Sequence, residues 1–194
     1  CSDKILLYNI VTGAISNLHY VNEQIPKATF TYRFLQRKDG KIWAISQNGI
    51  YLLNENADQV IDYFGKQSKD VSHQLPMENL LDAYEDPEGI FWLATNGEGL
   101  YRWNRATHEL QQFNITAGFP SDILYRIEED QFRNLWISTD NGLVRFNKTS
   151  FRVNTYTISN GLSHNEFNRA SSFKALSGQL YFGGLDGVNG FNPA

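Results

Sequence analysis

The segment RNLWISTDNGLVRFN, Arg133 to Asn147, contains two short apolar stretches on either side of the turn sequence Thr139-Asp140-Asn141-Gly142. Turns of this composition tolerate positive φ angles and join antiparallel strands. Similar stretches precede and follow the segment, so four strands joined by tight turns are predicted to form one antiparallel sheet. The predicted strands are Ile123 to Glu128, Leu135 to Ser138, Leu143 to Phe146 and Phe151 to Tyr156. No stretch of helical length shows an apolar period of 3.6 residues, which favours an all-β chain.

The same pattern recurs along the chain at intervals of 43 to 50 residues. Its other copies are DGKIWAISQNGIYLLN (Asp39 to Asn54), EGIFWLATNGEGLYRWN (Glu88 to Asn104), GQLYFGGLDGVNGFN (Gly178 to Asn192) and a partial copy, ILLYN (Ile5 to Asn9). Repeats of this length that contain several short strands are typical of radially stacked sheets. The sequence therefore predicts an all-β fold, a partial β-propeller of four blades, each a four-stranded antiparallel sheet.

The repeat spacing also predicts how the chain is divided. Residues 1–194 are interpreted as a single propeller fragment whose approximate repeats are 1–22 (a partial blade), 23–73, 74–117, 118–160 and 161–194. The chain is expected to begin with a third and a fourth strand and to end after a third strand. Because each repeat packs on its neighbours, the end blades should expose apolar faces and strand edges, and self-association of the fragment is expected.

Composition excludes several classes of function. The net charge is −4 and the basic residues are scattered, so no nucleic-acid partner is expected. No run of 18 apolar residues occurs, which argues against direct membrane insertion. The histidines, His19, His73, His108 and His164, are far apart and the chain has one cysteine, so no metal site and no cofactor are predicted.

A large aromatic residue holds the same place in the second strand of each repeat. These residues are Trp43, Trp92, Trp136 and Tyr181. A ring of stacking platforms for sugars is one interpretation. Packing between adjacent blades is the favoured one, because every copy has the aromatic and apolar residues flank it.

The repeats, D-x-x-G-x-[IL]-W-[IL]-x-T-x-x-G-L-x-R-[FWY]-[ND], resemble the two-component-regulator propeller repeat of bacterial hybrid two-component-type sensor proteins. The fourth unit, with NGLSHNEFN (Asn160 to Asn168), GQLYFGG (Gly178 to Gly184) and Phe191-Asn192-Pro193, resembles the C-terminal blade of such propellers. The first unit departs from the pattern, with Ser46 in place of the threonine and Leu53 in place of an aromatic residue.

The resemblance implies a location and a role. In that family the closing blade precedes a small β-sandwich linker (the Y_Y_Y module), a transmembrane helix and an output domain, a histidine kinase, a diguanylate cyclase or a DNA-binding domain. The chain would then be the periplasmic, ligand-binding part of an inner-membrane receptor, with the rest of that receptor as its partner and an oligosaccharide or other small ligand as its signal. A stand-alone four-bladed interaction module and a fragment of a propeller lyase or glycosidase are the alternatives.

Polar residues at the blade junctions are the candidate ligand-binding residues, because the loops on this face of a propeller usually present the ligand or partner surface. The first choice is His164, Asn165 and Glu166 with Asn168 and Arg169 behind them, whose donors and acceptors suit sugar hydroxyls. Second choices are Asp122, Tyr125 and Asn79 at equivalent junctions. The alternative is that the asparagines cap backbone groups and fix the junction.

No catalytic residue is predicted, and the chain is not expected to be an enzyme. A glycosidase needs two carboxylates facing a cleft. The adjacent acids Glu85-Asp86 and Glu128 to Asp130 lie at the ends of predicted strands and are interpreted as solvated turn positions.

Overall fold

Strands account for almost all regular structure in the computed structural model, which describes residues 5–37 and 39–193. These residues form two compact units, one up to Leu80 and one from Leu81 on, and each is described by itself. All strand pairs are antiparallel except β3 with β7. Within the described ranges, no helix is long and apolar enough to cross a membrane. The fold class is the predicted one, an all-β partial propeller of four blades.

The first unit contains a hairpin and blade 1. The hairpin pairs β1 (Leu6–Tyr8) with β2 (Ile15–Asn17), where the third and fourth strands of a partial blade were predicted. Blade 1 consists of β4 (Thr31–Gln36), β5 (Ile42–Ser46), β6 (Gly49–Leu53) and β7 (Gln59–Phe64). The short β3 (His19–Tyr20) adds a parallel edge to β7, which the repeat pattern did not predict.

The second unit contains the other three blades, except that Leu80, the first residue of β8, belongs to the first unit. Blade 2 is β8 (Leu80–Glu85), β9 (Ile90–Thr95), β10 (Leu100–Asn104) and β11 (Glu109–Phe113). Blade 3 is β12 (Leu124–Glu129), β13 (Asn134–Thr139), β14 (Gly142–Asn147) and β15 (Val153–Tyr156). Blade 4 has three strands among the described residues, β16 (Phe167–Lys174), β17 (Leu180–Gly184) and β18 (Gly187–Phe191). Short 3-10 turns lie in the loops at Val71–His73, Ile115–Ala117 and Ile158–Asn160.

A glycine stands at the start of the third strand of every blade, as its first residue or, for Gly99, directly before it, and in three blades the close approach of the fourth strand requires a glycine there. A Cβ atom at Gly142 would lie 2.7 Å from the carbonyl oxygen of Tyr156, the last residue of β15. Gly49 and Gly99 face the last residues of β7 and β11 in the same way, and all three have positive φ angles. Gly187 in blade 4 also has a positive φ, yet a Cβ atom there would meet no described atom within 4 Å.

An aspartate binds the second-strand tryptophan in blades 2 and 3, an arrangement that we call the Asp–Trp clasp. Trp92 Nε1 donates to Asp86 Oδ2 (3.0 Å) and Trp136 Nε1 donates to Asp130 Oδ2 (2.9 Å). The other carboxylate oxygen of each aspartate accepts backbone amides of the turn between the first and second strands. Each clasp thus fixes a turn and an aromatic side chain with one buried carboxylate.

The prediction that the acids after the first strands are solvated is wrong for most of them. Asp86, Glu128, Glu129 and Asp130 are buried, and Glu85 is half-buried. Their burial is compensated because each has partners: Tyr84 Oη donates to Glu129 Oε2 (2.6 Å), and Lys148 Nζ forms ion pairs with Glu129 and with Asp86 (3.2 Å). Buried carboxylates are stable only when they are paired in this way.

The first strands of blades 2, 3 and 4 are joined by a buried first-strand polar network, Asp82, Arg126, Glu128 and Ser172. Arg126 donates to Asp82 in blade 2 (Nη1 to Oδ1, 3.3 Å) and to Ser172 in blade 4 (Nε to Oγ, 3.3 Å). Ser172 Oγ in turn donates to Glu128 Oε1 (2.6 Å), and the Ile127 amide donates to Asp82 Oδ2 (2.9 Å). One arginine side chain therefore contacts both neighbouring blades.

Candidate functional site

In each loop between two blades of the second unit, one of the predicted site residues forms hydrogen bonds with backbone groups. Between blades 2 and 3, the Ile115 amide donates to Asp122 Oδ1 (2.8 Å). Between blades 3 and 4, the Ile158 amide donates to Asn165 Oδ1 (2.9 Å). The carbonyl oxygens of the same two residues accept the amide of the glycine that opens the third strand of the preceding blade. Asp122 and Asn165 therefore hold backbone groups at the junctions.

The side chains of His164 and Asn168, which lie close to Asn165 in the sequence, also form hydrogen bonds with backbone groups. The Glu166 amide donates to His164 Nδ1 (2.9 Å), so in the neutral imidazole the ring proton lies on Nε2. Asn168 Nδ2 donates to the Gly184 carbonyl (3.3 Å), which ties β16 to the end of β17. The side chain of Glu166 is exposed.

A bulge in β16 determines where Arg169 lies. Phe167 pairs with Gly184 and Ser172 pairs with Phe182, so the segment between Phe167 and Ser172 is longer than its partner on β17. The first strand of blade 3 has a smaller irregularity between Leu124 and Ile127, which contains Tyr125. Bulges redirect side chains and are frequent beside functional sites.

The structure brings Tyr125, Glu166 and Arg169 together with Asp140, and we call this group the Tyr125 cluster. Burial raises the pKa of Tyr125, the negative charges of Asp140 and Glu166 raise it further, and the Arg169 guanidinium opposes them. Asp140 Oδ1 is buried and has no hydrogen-bond partner within the described part of the chain. An acceptor without a partner is the group that a ligand hydroxyl would satisfy.

The cluster offers a phenol, a guanidinium and two carboxylates, a mixed set of donors and acceptors that suits a polar, hydroxyl-rich ligand. Arg169 and Glu166 are exposed, whereas Tyr125 is buried. Across residues 5–37 and 39–193, no group of three or more His, Cys, Asp and Glu side chains could hold a metal ion.

Asn79 belongs to the first unit. Its backbone has a positive φ of 55°, and its Oδ1 accepts a hydrogen bond from Gln47 Nε2 (2.7 Å). The next amide, that of Leu80, donates to the Gln47 carbonyl (3.0 Å). Asn79 and Leu80 are therefore held against the turn between β5 and β6, within the first unit.

The second-strand aromatics are packed inside the sheets rather than displayed. Trp43, Trp92 and Trp136 are buried, and Tyr181 is half-buried. In the second unit, Trp92 packs edge-on against Phe146 of blade 3 (ring centroids 5.6 Å apart), and Trp136 packs against Phe191 of blade 4 (4.6 Å). Trp92 and Trp136 thus pack between their own blade and the next, as the favoured interpretation expected.

Sequence reasoning did not single out Asp140, Asp82, Arg126 or Lys148. One signal was available for the clasps, because Asp86 and Asp130 stand six residues before Trp92 and Trp136. The same place in blade 1 is Arg37, whose guanidinium lies over the Trp43 ring (5.3 Å). No comparable spacing identifies Asp140, which lies in a turn rich in polar residues.

Comparison with known proteins places the chain among propeller-containing proteins. No family model matches it. Histidine kinase P4 of Formosa agariphila is 30% identical over 115 residues, which are 59% of this chain and 8% of that protein. The chain thus spans a small part of the curated relative it matches.

Two solved structures have the same fold over almost the whole chain. The extracellular domain assigned to the hybrid two-component system BT3049 of B. thetaiotaomicron has a TM-score of 0.64 and 22% identity, covering 97% of this chain and 31% of that one. Virginiamycin B lyase of Staphylococcus aureus has a TM-score of 0.65 and 17% identity, covering 98% of this chain and 63% of that one. This chain therefore has a β-propeller fold that is found both in extracellular domains of sensor systems and in a lyase.

Proposed function

We propose that this chain is part of the extracytoplasmic, ligand-binding region of a bacterial two-component or related signalling receptor, and that it acts by binding without catalysis. The observation that carries the proposal is the 30% sequence identity to a histidine kinase over 115 residues of this chain. The likeness in fold to an extracellular domain assigned to a hybrid two-component system supports it. In a bacterium with two membranes the chain would lie in the periplasm.

The Tyr125 cluster is the proposed ligand site, with His164 next to it on the same loop. Its ligand would be an oligosaccharide or another small hydroxylated molecule, because the cluster combines charged donors and acceptors with one buried acceptor that has no described partner. Binding there would bridge β12 and β16, and so alter the packing of blades 3 and 4. The remainder of the receptor would convert that change into a signal.

The test is binding of a panel of neutral and acidic oligosaccharides, measured by calorimetry. Arg169→Ala should weaken binding of a responding glycan by about tenfold or more, because a hydrogen bond to a charged group contributes about 1.5–3 kcal/mol. Arg152→Ala is the matched control, since Arg152 is an exposed arginine outside the cluster. Equal losses in both variants, or no glycan binding to folded protein, would refute the site.

The likeness to virginiamycin B lyase favours one alternative, a fragment of a propeller enzyme. The same panel separates the two functions when each mixture is examined for products after long incubation. Under the sensor proposal every glycan is recovered unchanged. Turnover that Arg169→Ala or Tyr125→Phe abolishes would replace that proposal with an enzymatic one.

A further inference from the structure

The loop that follows blade 1 is longer than the loops that follow blades 2 and 3. Six residues, 65–70, separate β7 from its 3-10 turn, whereas one residue separates β11 and β15 from theirs. From the start of each turn to the start of the next strand, the three loops have the same length. The extra residues are therefore an insertion before the turn at Val71–His73, and loop insertions often carry binding residues.

A cavity of about 520 Å³ lies beside this insertion, and all its lining residues belong to the first unit. Lys66 and Gln67 of the insertion line it, together with the turn between β5 and β6. Met77, Glu78 and Asn79, which precede β8, also line it. Its volume falls within the range of about 300–1,000 Å³ that is usual for sites of small ligands.

Two side-chain amides in the cavity are joined to each other, and each keeps one polar group for a ligand. Gln47 Nε2 donates to Asn79 Oδ1 (2.7 Å). Among residues 5–37 and 39–193, neither Gln47 Oε1 nor Asn79 Nδ2 has a hydrogen-bond partner. The joined amides therefore offer one acceptor and one donor. A peptide group is their complement, because it has one N–H donor and one C=O acceptor.

Two opposite charges lie at the same cavity. Lys66 and Glu78 form an ion pair, and their side chains are 57% and 61% exposed. Glu78 stands seven residues after the start of its 3-10 turn, the place that Asp122 and Asn165 hold in the other loops. Those two side chains accept an amide of their own loop, whereas Glu78 pairs with the inserted lysine. Because an exposed ion pair contributes little to stability, a ligand can separate its members at small cost.

We propose that this cavity binds a short peptide with free termini. Lys66 would pair with the terminal carboxylate of the peptide and Glu78 with its terminal ammonium, while Gln47 and Asn79 would hold one peptide group. A side chain of the peptide would pack on Met77, which is buried and whose flexible thioether adapts to different apolar groups. The site shares no residue with the Tyr125 cluster, and the inference does not rest on the proposed sensor function.

The test uses the whole chain, isotope-labelled for NMR, because the side-chain amide signals of Gln47 and Asn79 report contact with a ligand directly. The probes are the tripeptide Ala-Leu-Ala with free termini and the same tripeptide with acetylated and amidated ends. The free tripeptide should shift both signals in a saturable way. The blocked one should bind at least about tenfold more weakly, because it lacks both charges. Equal affinity for the two, or no shift with the free tripeptide at millimolar concentration, would overturn the proposal.

Two protein variants test the assigned contacts. Lys66→Ala should weaken binding of the free tripeptide by about tenfold or more at an unchanged melting temperature. Lys69→Ala is the matched control, because Lys69 is an exposed lysine of the same loop that does not line this cavity. Asn79→Asp keeps an acceptor for Gln47 and tolerates the positive φ, but it replaces the free donor with a carboxylate and should abolish binding.

Binding that neither Lys66→Ala nor Asn79→Asp weakens would refute the site. A neutral disaccharide, maltose, is the competing probe. If maltose shifts the same amide signals with an affinity equal to that of the free tripeptide, the cavity recognises hydroxyl groups and the peptide proposal fails.

Discussion

At the scale of single residues, the carboxylate of Asp130 accepts hydrogen bonds from several donors at once. Its carboxylate accepts hydrogen bonds from the Phe132 amide (2.9 Å), the Asn134 amide (2.8 Å), Asn134 Nδ2 (3.0 Å) and Trp136 Nε1 (2.9 Å). Removing it would leave the donors of Asn134 and Trp136 buried without an acceptor, which is far costlier than losing one exposed hydrogen bond.

Asp130→Ala should therefore lower the free energy of unfolding by about 2–4 kcal/mol. Urea denaturation followed by tryptophan fluorescence measures the change. Asp186→Ala is the control, because Asp186 is an exposed turn residue of blade 4 and should have little effect. Similar effects of the two substitutions would contradict the structural role assigned to the clasp.

Asp86 makes stability dependent on pH. Burial by itself would raise the pKa of Asp86, but hydrogen bonds from Trp92 and the Ile90 amide, together with Lys148, outweigh it and hold the pKa below its ordinary value. A carboxyl whose pKa is lower in the folded state stabilises the protein above the unfolded pKa of about 3.9. This contribution is lost as the pH falls through the folded pKa.

Asp86→Asn should flatten the loss of stability in acid, because an amide does not titrate in this range. Unfolding free energies from urea denaturation, compared between neutral pH and the most acidic pH at which the protein still folds, provide the measurement. The variant should be less stable than the parent at neutral pH and closer to it in acid. A parallel decline of both proteins would show that Asp86 does not contribute.

Whether the roles of such residues can be predicted depends on turn and strand geometry, which the sequence alone does not show. The spacing of Trp92 and Trp136 correctly predicted their place in the second strands. The aspartates six residues earlier looked like ordinary turn residues, and only the turn geometry shows that their carboxylates fold back onto the indoles. For Tyr125 and Asp140, proximity arises between a strand and a distant turn, which no local pattern reveals.

At the scale of elements, the first-strand polar network links three strands that are far apart in sequence. Asp82 is fully buried and Arg126 is 8% exposed. Breaking a buried ion pair by removing one partner costs about 3–5 kcal/mol, because the other charge stays buried.

Asp82→Ala and Arg126→Ala should each destabilise the chain by about that amount, whereas the double variant should lose much less than the two single losses combined. A double-mutant cycle measured by chemical denaturation tests this coupling. The exposed pair Lys66 and Glu78 supplies the comparison, and its cycle should show no measurable coupling. Additive effects of Asp82→Ala and Arg126→Ala would mean that the two charges do not depend on each other.

Most strands could be predicted from the repeat pattern. The bulges in the first strands were harder to predict. Leu124 precedes Trp136 by 12 residues, whereas Phe167 precedes Tyr181 by 14. The two extra residues form the β16 bulge that contains Arg169. This difference in spacing is visible in the sequence but was not used for a prediction, and the position of the bulge follows only from strand pairing.

At the scale of the whole molecule, the remaining expectation concerns association. Apolar side chains are exposed in both units, among them Ile10 and Val11 in the first and Phe173 and Val188 in the second. Exposed apolar surface beside an open strand edge favours contact between copies. We therefore expect the chain to self-associate at micromolar concentration.

Sedimentation velocity over a range of concentrations measures this association. The weight-average sedimentation coefficient should rise with concentration and fall when Phe173→Lys or Val188→Asp is introduced. Phe132→Lys, on an exposed turn residue of blade 3, is the control and should leave the coefficient unchanged. A monomer at all micromolar concentrations would refute the expectation.

The position of Arg126 between two neighbouring blades has a mechanical consequence. Repeat proteins whose units contact only their neighbours tend to come apart at a seam between two units. The Arg126 side chain forms hydrogen bonds to Asp82 in blade 2 and to Ser172 in blade 4, and Ser172 in turn donates to Glu128 of blade 3. Separating blade 3 from blade 2 or from blade 4 therefore requires Arg126 to give up one of its two partners, so this one side chain resists opening at both boundaries.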